Sequence, residues 1–326
     1  VSASWQASAL GALALVASPA SPHAAARQSQ APPVFRVQVE TVYVDAFVTH
    51  RGEVVRGLSA ADFELKDNGV AQRLELVSAE ALPLLAVLTF DTSGSVAGKR
   101  LLALRAAGQA FLDSLRAQDE VALFAFADEV AWLAQPTKDK MRVRDALGRL
   151  LTGGGTSLHD ALYAALTLPV TQARTLVVLF TDGEDNLSFL DWRQLQLVAE
   201  RSNALIHVVG LLPRGEEPPE AKTIDGMLRG AGPGSGADGP LRGVEFEHTF
   251  ALRQIAEATG GRYWPAESPE RLKGAFTAVA EAMGQRYVLR YEPQNVKRQG
   301  WHKIELRLRR HKGEVHARRG YWVADQ

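Results

Sequence analysis

The chain has 326 residues with 46% hydrophobic and 23% charged content, and its 37 basic and 37 acidic side chains leave a formal net charge of zero. A nucleic-acid binder shows a basic excess or stripe, and none is evident. Cysteine is absent, which excludes disulfide frameworks, zinc–thiolate sites and thiol catalysis.

The first segment, Ala9 to Ala17, is a short apolar run, too short to span a bilayer. Small residues Ala24, Ala25 and Ala26 follow, then polar Arg27 to Gln30. This shape predicts a secretory signal over 1–26 with cleavage near Ala26. The basic residues that ordinarily precede such a run are missing, and the alternative is an Ala/Pro-rich arm. Residues 27–33 read as a linker, and no later segment is apolar enough to be a membrane span. The remaining length calls for roughly two folding units.

After Pro32-Pro33 the periodicity is two: Val37, Val39, Thr41 and Tyr43 alternate with Gln38, Glu40 and Val42, and the extended pattern continues to Val48. His50-Arg51-Gly52 is a turn before Val54-Val55. Phe63 to Lys66, the turn Asp67-Asn68-Gly69, and Leu74 to Val77 read as strand, hairpin and strand. From Leu84 the texture changes. Leu84 to Phe90 is continuously apolar, as in a strand buried on both faces of a parallel sheet. Helix (Lys99–Arg116), strand (Val121–Phe126), helices (Asp139–Leu150 and Leu158–Leu168), strand (Thr175–Phe180), helix (Trp192–Ser202) and strand (Leu205–Leu211) follow. Pro213 to Gly243 is a Gly/Pro-rich insertion without periodicity. Beyond it come a helix over Phe250–Thr259, a short strand at Arg262–Trp264, and a helix from Pro269, capped by Ser268, to about Gly284. Strands at Tyr287–Tyr291, Ile304–Leu308 and Val315–Arg319 close the chain.

Alternating strand and helix over 83–285 predicts an α/β class fold, a doubly wound, mostly parallel, Rossmann-like sheet. The β-rich flanks, 34–82 and 286–326, are each too small for a core of their own. They are expected to pack into one discontinuous β-sandwich-like domain with the α/β unit inserted. The basic cluster Arg307, Arg309, Arg310, Lys312, Arg318 and Arg319 alternates with Leu306, Leu308, Val315 and Ala317, and reads as the solvated face of strands.

The strongest chemical signal is Asp91-Thr92-Ser93-Gly94-Ser95, directly after the first buried strand. Ligands of open α/β sheets bind beyond the carboxyl ends of strands. One carboxylate and two hydroxyls at alternate positions offer hard oxygen donors of the kind Mg²⁺ takes. Alone, this spacing is a weak signal. Gly153-Gly154-Gly155-Thr156 before a helix, and Thr181-Asp182-Gly183 after a strand, strengthen it. Together Asp91, Ser93, Ser95, Thr156 and Asp182 form an all-oxygen set with only two charges. Enzymatic patterns fit poorly. Ser93 stands where a second carboxylate would serve an aspartyl phosphotransferase, and Ser95 lacks the G-x-S-x-G elbow. Gly234 to Gly239 satisfies G-x-G-x-x-G only formally, with no strand before it. His159-Asp160 reads as a surface or capping pair, and Glu184 and Asp185 as either neighbours that tune the site or an acidic solvated loop.

This combination resembles the metal-ion-dependent adhesion site of von Willebrand factor type A (VWA) domains, whose pattern is D-x-S-x-S, a distant Thr and a distant Asp in T-D-G. The stretch Gly154 to Leu162 resembles the surroundings of the family's Thr, and the likeness covers about residues 84–285. The flanks, through Gly57 to Glu64, Asp67-Asn68-Gly69, Tyr287 to Pro293 and Gly320-Tyr321, resemble a bacterial VWA-related subgroup with β extensions on both sides. The resemblance implies a Mg²⁺ site, with Mn²⁺ or Ca²⁺ as alternatives. Ser93, Ser95 and Thr156 would contact the ion through hydroxyls, and Asp91 and Asp182 directly or through water. It also implies a protein partner that supplies an acidic residue to the metal, with no catalytic residue and no nucleic acid. The expected role is metal-dependent adhesion by an exported protein in the periplasm, at the cell surface or secreted. The alternatives are a scaffold protein with a vestigial site that binds through its β-domain and, third, a metal-dependent hydrolase. Related domains couple their metal site to their final helix, here the one running into Tyr287.

Overall fold

The computed structural model describes residues 41–168, 174–182, 185–211, 240–297 and 299–323, with side chains for all of these except 80 and 240–248. The proposed signal and linker, the alternation over 37–40, Glu184, the G-x-G-x-x-G segment and the insertion up to 239 lie outside them.

The chain enters through β1 (Val42–His50) and β2 (Glu53–Val54), joined by a two-residue turn in which Arg51 and Gly52 both take positive φ. The inward face of β1 is Val42, Val44, Ala46 and Val48, so the alternation runs one residue out of phase with the expected Thr41 and Tyr43. β3 (Phe63–Asp67) and β4 (Val70–Ala71) form the hairpin that Asn68-Gly69 predicts, with Asp67 opposite Val70. β5 (Glu75–Val77) does not extend this hairpin. It crosses to the other sheet and pairs with the strand at Tyr287–Tyr291, after Gln72 has been drawn down by bonds to the Gln294 backbone.

The α/β layer follows: β6 (Leu84–Asp91), α1 (Lys99–Ser114), β7 (Glu120–Phe126), β8 (Val130–Thr137), α2 (Lys140–Gly148), α3 (Leu158–Leu166), β9 (Arg174–Thr181), α4 (Trp192–Arg201), β10 (Ala204–Leu211), α5 (Pro240–Ala258), β11 (Tyr263–Ala266) and α6 (Leu272–Gly284). Its sheet order is β11-β10-β9-β6-β7-β8, parallel except for the edge strand β8. β8 escapes the periodicity because it is a half-exposed edge whose apolar residues Trp132 and Leu133 face solvent. Residues 240–243, expected in the insertion, already belong to α5. Proline is tolerated there because a helix's first N–H groups have no intrahelical acceptor. Ser268 stands at the N-cap position of a 3-10 turn, Pro269–Arg271, rather than of α6, and makes no side-chain capping bond.

Successive residues of β6 face opposite helix layers. Leu84, Ala86, Leu88 and Phe90 pack with α1, α2 and α6 residues such as Phe111, Leu147 and Phe276, while Leu85 and Val87 pack with α3, α4 and α5 residues such as Leu162, Leu195 and Ile255. This two-sided burial is why the strand reads as an unbroken apolar run.

β12 (Tyr287–Tyr291), β13 (Gly300–Leu308), β14 (Glu314–His316) and β15 (Gly320–Val323) return to the β-rich region. One sheet runs β14-β1-β12-β5 with β2 on β1, and the other β15-β13-β3-β4. Their inner faces share a core of Val44, Val48, Phe63, Leu65, Leu289, Tyr291, Ile304 and Tyr321. The expected strand Val315–Arg319 is strand only at its start, within β14; the chain then leaves that sheet, and β15 begins at Gly320 in the other. Within this core Asp67 is fully buried and accepts from the Tyr291 hydroxyl at 3.0 Å, the Tyr321 hydroxyl at 2.8 Å and His302 Nδ1 at 2.8 Å. Burial raises the pKa of both tyrosines, so they remain donors to it.

Arginines join the sandwich to the α/β layer. Arg174, at the start of β9, bonds Asp45 of β1 through Nε at 3.1 Å. Arg286, between α6 and β12, is buried and donates to the Gly260 carbonyl at 2.7 Å. Burial pulls its pKa down to about 10. Arg318 departs from the expected solvated face. It is only partly exposed and donates to Asn203 Oδ1 and to the Ser202 carbonyl, both at 2.9 Å, anchoring the β14–β15 connection to the end of α4. Removing one partner of a buried ion pair leaves the other charge unsatisfied. Asp45→Ala is therefore expected to lower unfolding free energy in urea by about 3 kcal/mol, with part of that loss recovered in Asp45→Ala/Arg174→Met.

Candidate functional site

The α/β sheet places the ends of β6 and β9 side by side, with Phe90 opposite Phe180 in parallel register. Asp91 and Asp182 therefore emerge on neighbouring strands at one sheet edge. Asp91 is fully buried. Its Oδ1 accepts from the Ser93 hydroxyl at 2.6 Å and the Ser93 amide at 2.9 Å, and its Oδ2 accepts from the Thr181 hydroxyl at 2.9 Å. Ser93 Oγ also lies 3.0 Å from Ser95 Oγ. The first loop thus gathers Asp91, Ser93 and Ser95 into one hydrogen-bonded chain.

The glycine loop is stitched to the first loop by backbone bonds, from Gly94 N to the Gly154 carbonyl at 3.1 Å and from Gly153 N to the Thr92 carbonyl at 3.0 Å. Gly154 has φ +76°, and a Cβ there would collide with the Asp128 carboxylate, which accepts from Gly155 N at 2.6 Å. Only glycine meets both conditions. Buried Thr156 is clasped by the third loop: its amide donates to Asn186 Oδ1 at 2.8 Å, and its carbonyl accepts from the Asn186 and Leu187 amides at 3.0 and 3.1 Å. The loop that carries Thr156 is therefore tied to the first loop through Gly153 and Gly154 and to the third through Thr156 itself.

Asp182 Oδ1 is buried and has no hydrogen-bond partner among the described residues. Its Oδ2 lies 3.5 Å from Arg100 Nη1, which also donates to the Ser95 carbonyl at 3.0 Å. Burial first, and then the charge of Asp182, push the Asp91 pKa up to about 6, against the Ser93 and Thr181 hydrogen bonds that favour its anion. The five predicted residues are thus brought to one edge by three mutually bonded loops.

A hard divalent cation fits this set. The donors are carboxylate and hydroxyl oxygens, the two carboxylates are partly desolvated, and one buried oxygen lacks a partner among the described residues. Among the described residues no cluster of three or more His, Cys, Asp or Glu side chains is placed to hold a metal, so an ion here depends on the hydroxyls.

Neighbours absent from the sequence-level set brace it. Thr181 bonds Asp91, Asn186 and Asp128 hold the glycine loop, and Arg100 faces Asp182. Arg100 had a signal: it sits in the first turn of α1, which has no acidic residue, where a cation opposes the helix dipole and calls for an acidic partner elsewhere. His159 and Asp160 are not a surface pair. His159 Nδ1 lies 2.8 Å from Asp185 Oδ2, and although burial opposes its charge, that partner raises its pKa. Asp160 accepts from the Phe189 and Leu190 amides at 3.0 and 3.1 Å. Asp185 is thereby committed to holding the third loop rather than left in solvent.

Because the pKa of Asp91 is higher in the folded chain than the ordinary 3.8, the folded state binds this proton more tightly than the unfolded state. The associated stability is complete below about pH 4 and is lost as pH rises through about 6. In chelator, Asp91→Asn is expected to be more stable than the parent by about 1–2 kcal/mol at pH 7.5, with the difference vanishing near pH 4. Urea unfolding at the two pH values measures it.

Residues 86–184 match the family model described as von Willebrand factor type A domain. The chain is 24% identical over 173 residues to inter-alpha-trypsin inhibitor heavy chain H4 from Homo sapiens, a match covering 49% of this chain and 18% of that protein. It therefore spans less than a fifth of that relative's length. Solved structures similar to it include a von Willebrand factor type A protein from Catenulispora acidiphila, at 16% identity and a TM-score of 0.47 over 81% of this chain and 74% of that one. Another is the vWF domain of the type V pili tip protein Mfa5 from Porphyromonas gingivalis, at 14% identity and a TM-score of 0.45 over 62% of this chain and 95% of that one. The match to the von Willebrand factor type A model over 86–184 runs from β6 to the Asp182 loop, so it spans all five residues of the candidate site.

Proposed function

We propose that this chain binds an acidic protein partner through a divalent cation, Mg²⁺ first and Mn²⁺ or Ca²⁺ otherwise, held by Asp91, Ser93, Ser95, Thr156 and Asp182. The observation that carries this reading is the buried Oδ1 of Asp182, without a hydrogen-bond partner among the described residues, at the end of the strand next to the Asp91–Ser93–Ser95 chain. Ser93, Ser95 and Thr156 offer neutral hydroxyls, while Asp91 and Asp182 supply the charge. When bound, the ion supplies an electrophilic centre with a position left for a partner's carboxylate.

Binding is favoured over turnover because no histidine among the described residues hydrogen-bonds Ser93 or Ser95. His159 is committed to Asp185, and Ser93 already donates to Asp91. The apolar run Ala9 to Ala17 with its following small residues supports export to an extracytoplasmic location. Among the described residues no helix is long and apolar enough to cross a membrane.

Calorimetric titration of the full chain with Mg²⁺ and Mn²⁺ is expected to show saturable binding that disappears in Asp91→Ala/Ser93→Ala. A wild type without saturable binding would exclude the reading. Because Asp91 must be ionised to contribute its charge, affinity is expected to fall as pH drops below about 6, by up to about tenfold per pH unit.

A further inference from the structure

We infer that Arg100 is the site's resident cation, a guanidinium latch that ties the first and third loops together in the metal-free protein and must yield when a divalent ion enters. This inference rests on the proposed metal site and assigns a residue outside its ligand set. A single nitrogen, Arg100 Nη1, donates to the Ser95 carbonyl at 3.0 Å and lies 3.5 Å from Asp182 Oδ2. It therefore spans the two segments that the ion itself would join.

Three features set Arg100 apart from an ordinary surface arginine. It stands in the first turn of α1, where the helix's positive end disfavours it, and α1 has no acidic residue in that turn to compensate. Its acidic partner is largely buried, with 11% of the Asp182 side chain exposed, and is one of only two charges in the ligand set. The Arg100 side chain is itself 34% exposed, so a rotamer change carries the guanidinium into water without unpacking the core. The arginine thus offsets part of the mutual repulsion of Asp91 and Asp182 while the site lacks an ion. A divalent cation performs the same task with twice the charge, and the two cations compete for Asp182 Oδ2.

Linkage fixes the consequences. A contact that stabilises only the metal-free form weakens metal binding by the same factor. Arg100→Gln is therefore expected to lower Tm in chelator while leaving the Tm in saturating Mn²⁺ close to the parent's. It should also tighten Mn²⁺ binding by about tenfold. Arg100→Lys, which keeps the charge, should bind Mn²⁺ within about threefold of the wild type.

The test is calorimetric Mn²⁺ titration of the full chain and both variants, with thermal melts in chelator and in saturating Mn²⁺. A wild type that binds, with Arg100→Gln no tighter, would overturn the latch and leave the metal site standing. A wild type that does not bind, with Arg100→Gln that does, would show the arginine to be a permanent occupant, so that the latch holds and the metal-dependent function falls. No binding by either would discard both.

Discussion

A carboxylate buried at the end of a strand that is itself covered on both faces is the constraint around which this protein is arranged. Asp91 terminates β6, the strand whose alternate residues feed both helix layers, so it cannot retreat to solvent without dismantling the core. The surroundings answer with donors: a serine hydroxyl and amide from its own loop, and a threonine hydroxyl from the neighbouring strand. These bonds do not fully offset burial and the nearby Asp182 charge, since the carboxyl still takes up its proton near neutral pH. The two neighbouring carboxylates therefore carry an electrostatic cost in the folded chain.

The same loops show how an unfavourable electrostatic arrangement persists in a stable fold. The glycine loop is bonded by its backbone to the first loop on one side and to Asn186 and Leu187 on the other, so no segment bears the repulsion alone. His159, Asp160, Asp185 and Ser188 then secure the third loop to the start of α3. Polar networks of this kind position a site more narrowly than apolar packing does, because each donor accepts only a small range of angles. Below them, the Asp45–Arg174 pair and Arg286 fasten the α/β layer to the sandwich at the opposite end of the strands.

Much of the architecture was legible from period and punctuation. The buried strands appeared as unbroken apolar runs, the Asn68-Gly69 hairpin as a two-residue turn, and the first helix after the glycine loop within two residues of its end. The misreadings fall where local pattern underdetermines pairing. β8 is an edge strand with half its face in water, so its alternation is blurred. β5 lies a few residues beyond a hairpin, where local pattern makes it the hairpin's arm, yet the chain crosses to the other sheet. Val315 to Arg319 contains a change of sheet that no run of side chains announces. Arg318 looked like a solvated charge because its partners, Ser202 and Asn203, lie more than a hundred residues away.

What the sequence determined by itself was the succession of buried strands and helices from β6 to α6, the edge strand β8 apart, and which oxygen-bearing side chains follow β6 and β9. Both are local properties: burial on two faces dictates continuous apolar composition, and a strand's carboxyl end is where its next residues must leave the sheet. Only the tertiary structure decided which cation faces Asp182, that Asp185 serves His159, and which strands of the two flanks share each sheet. Those outcomes turn on distances between residues far apart in the chain. Charge and hydrogen-bond geometry act over a few ångströms of space, with no regard to separation along the sequence.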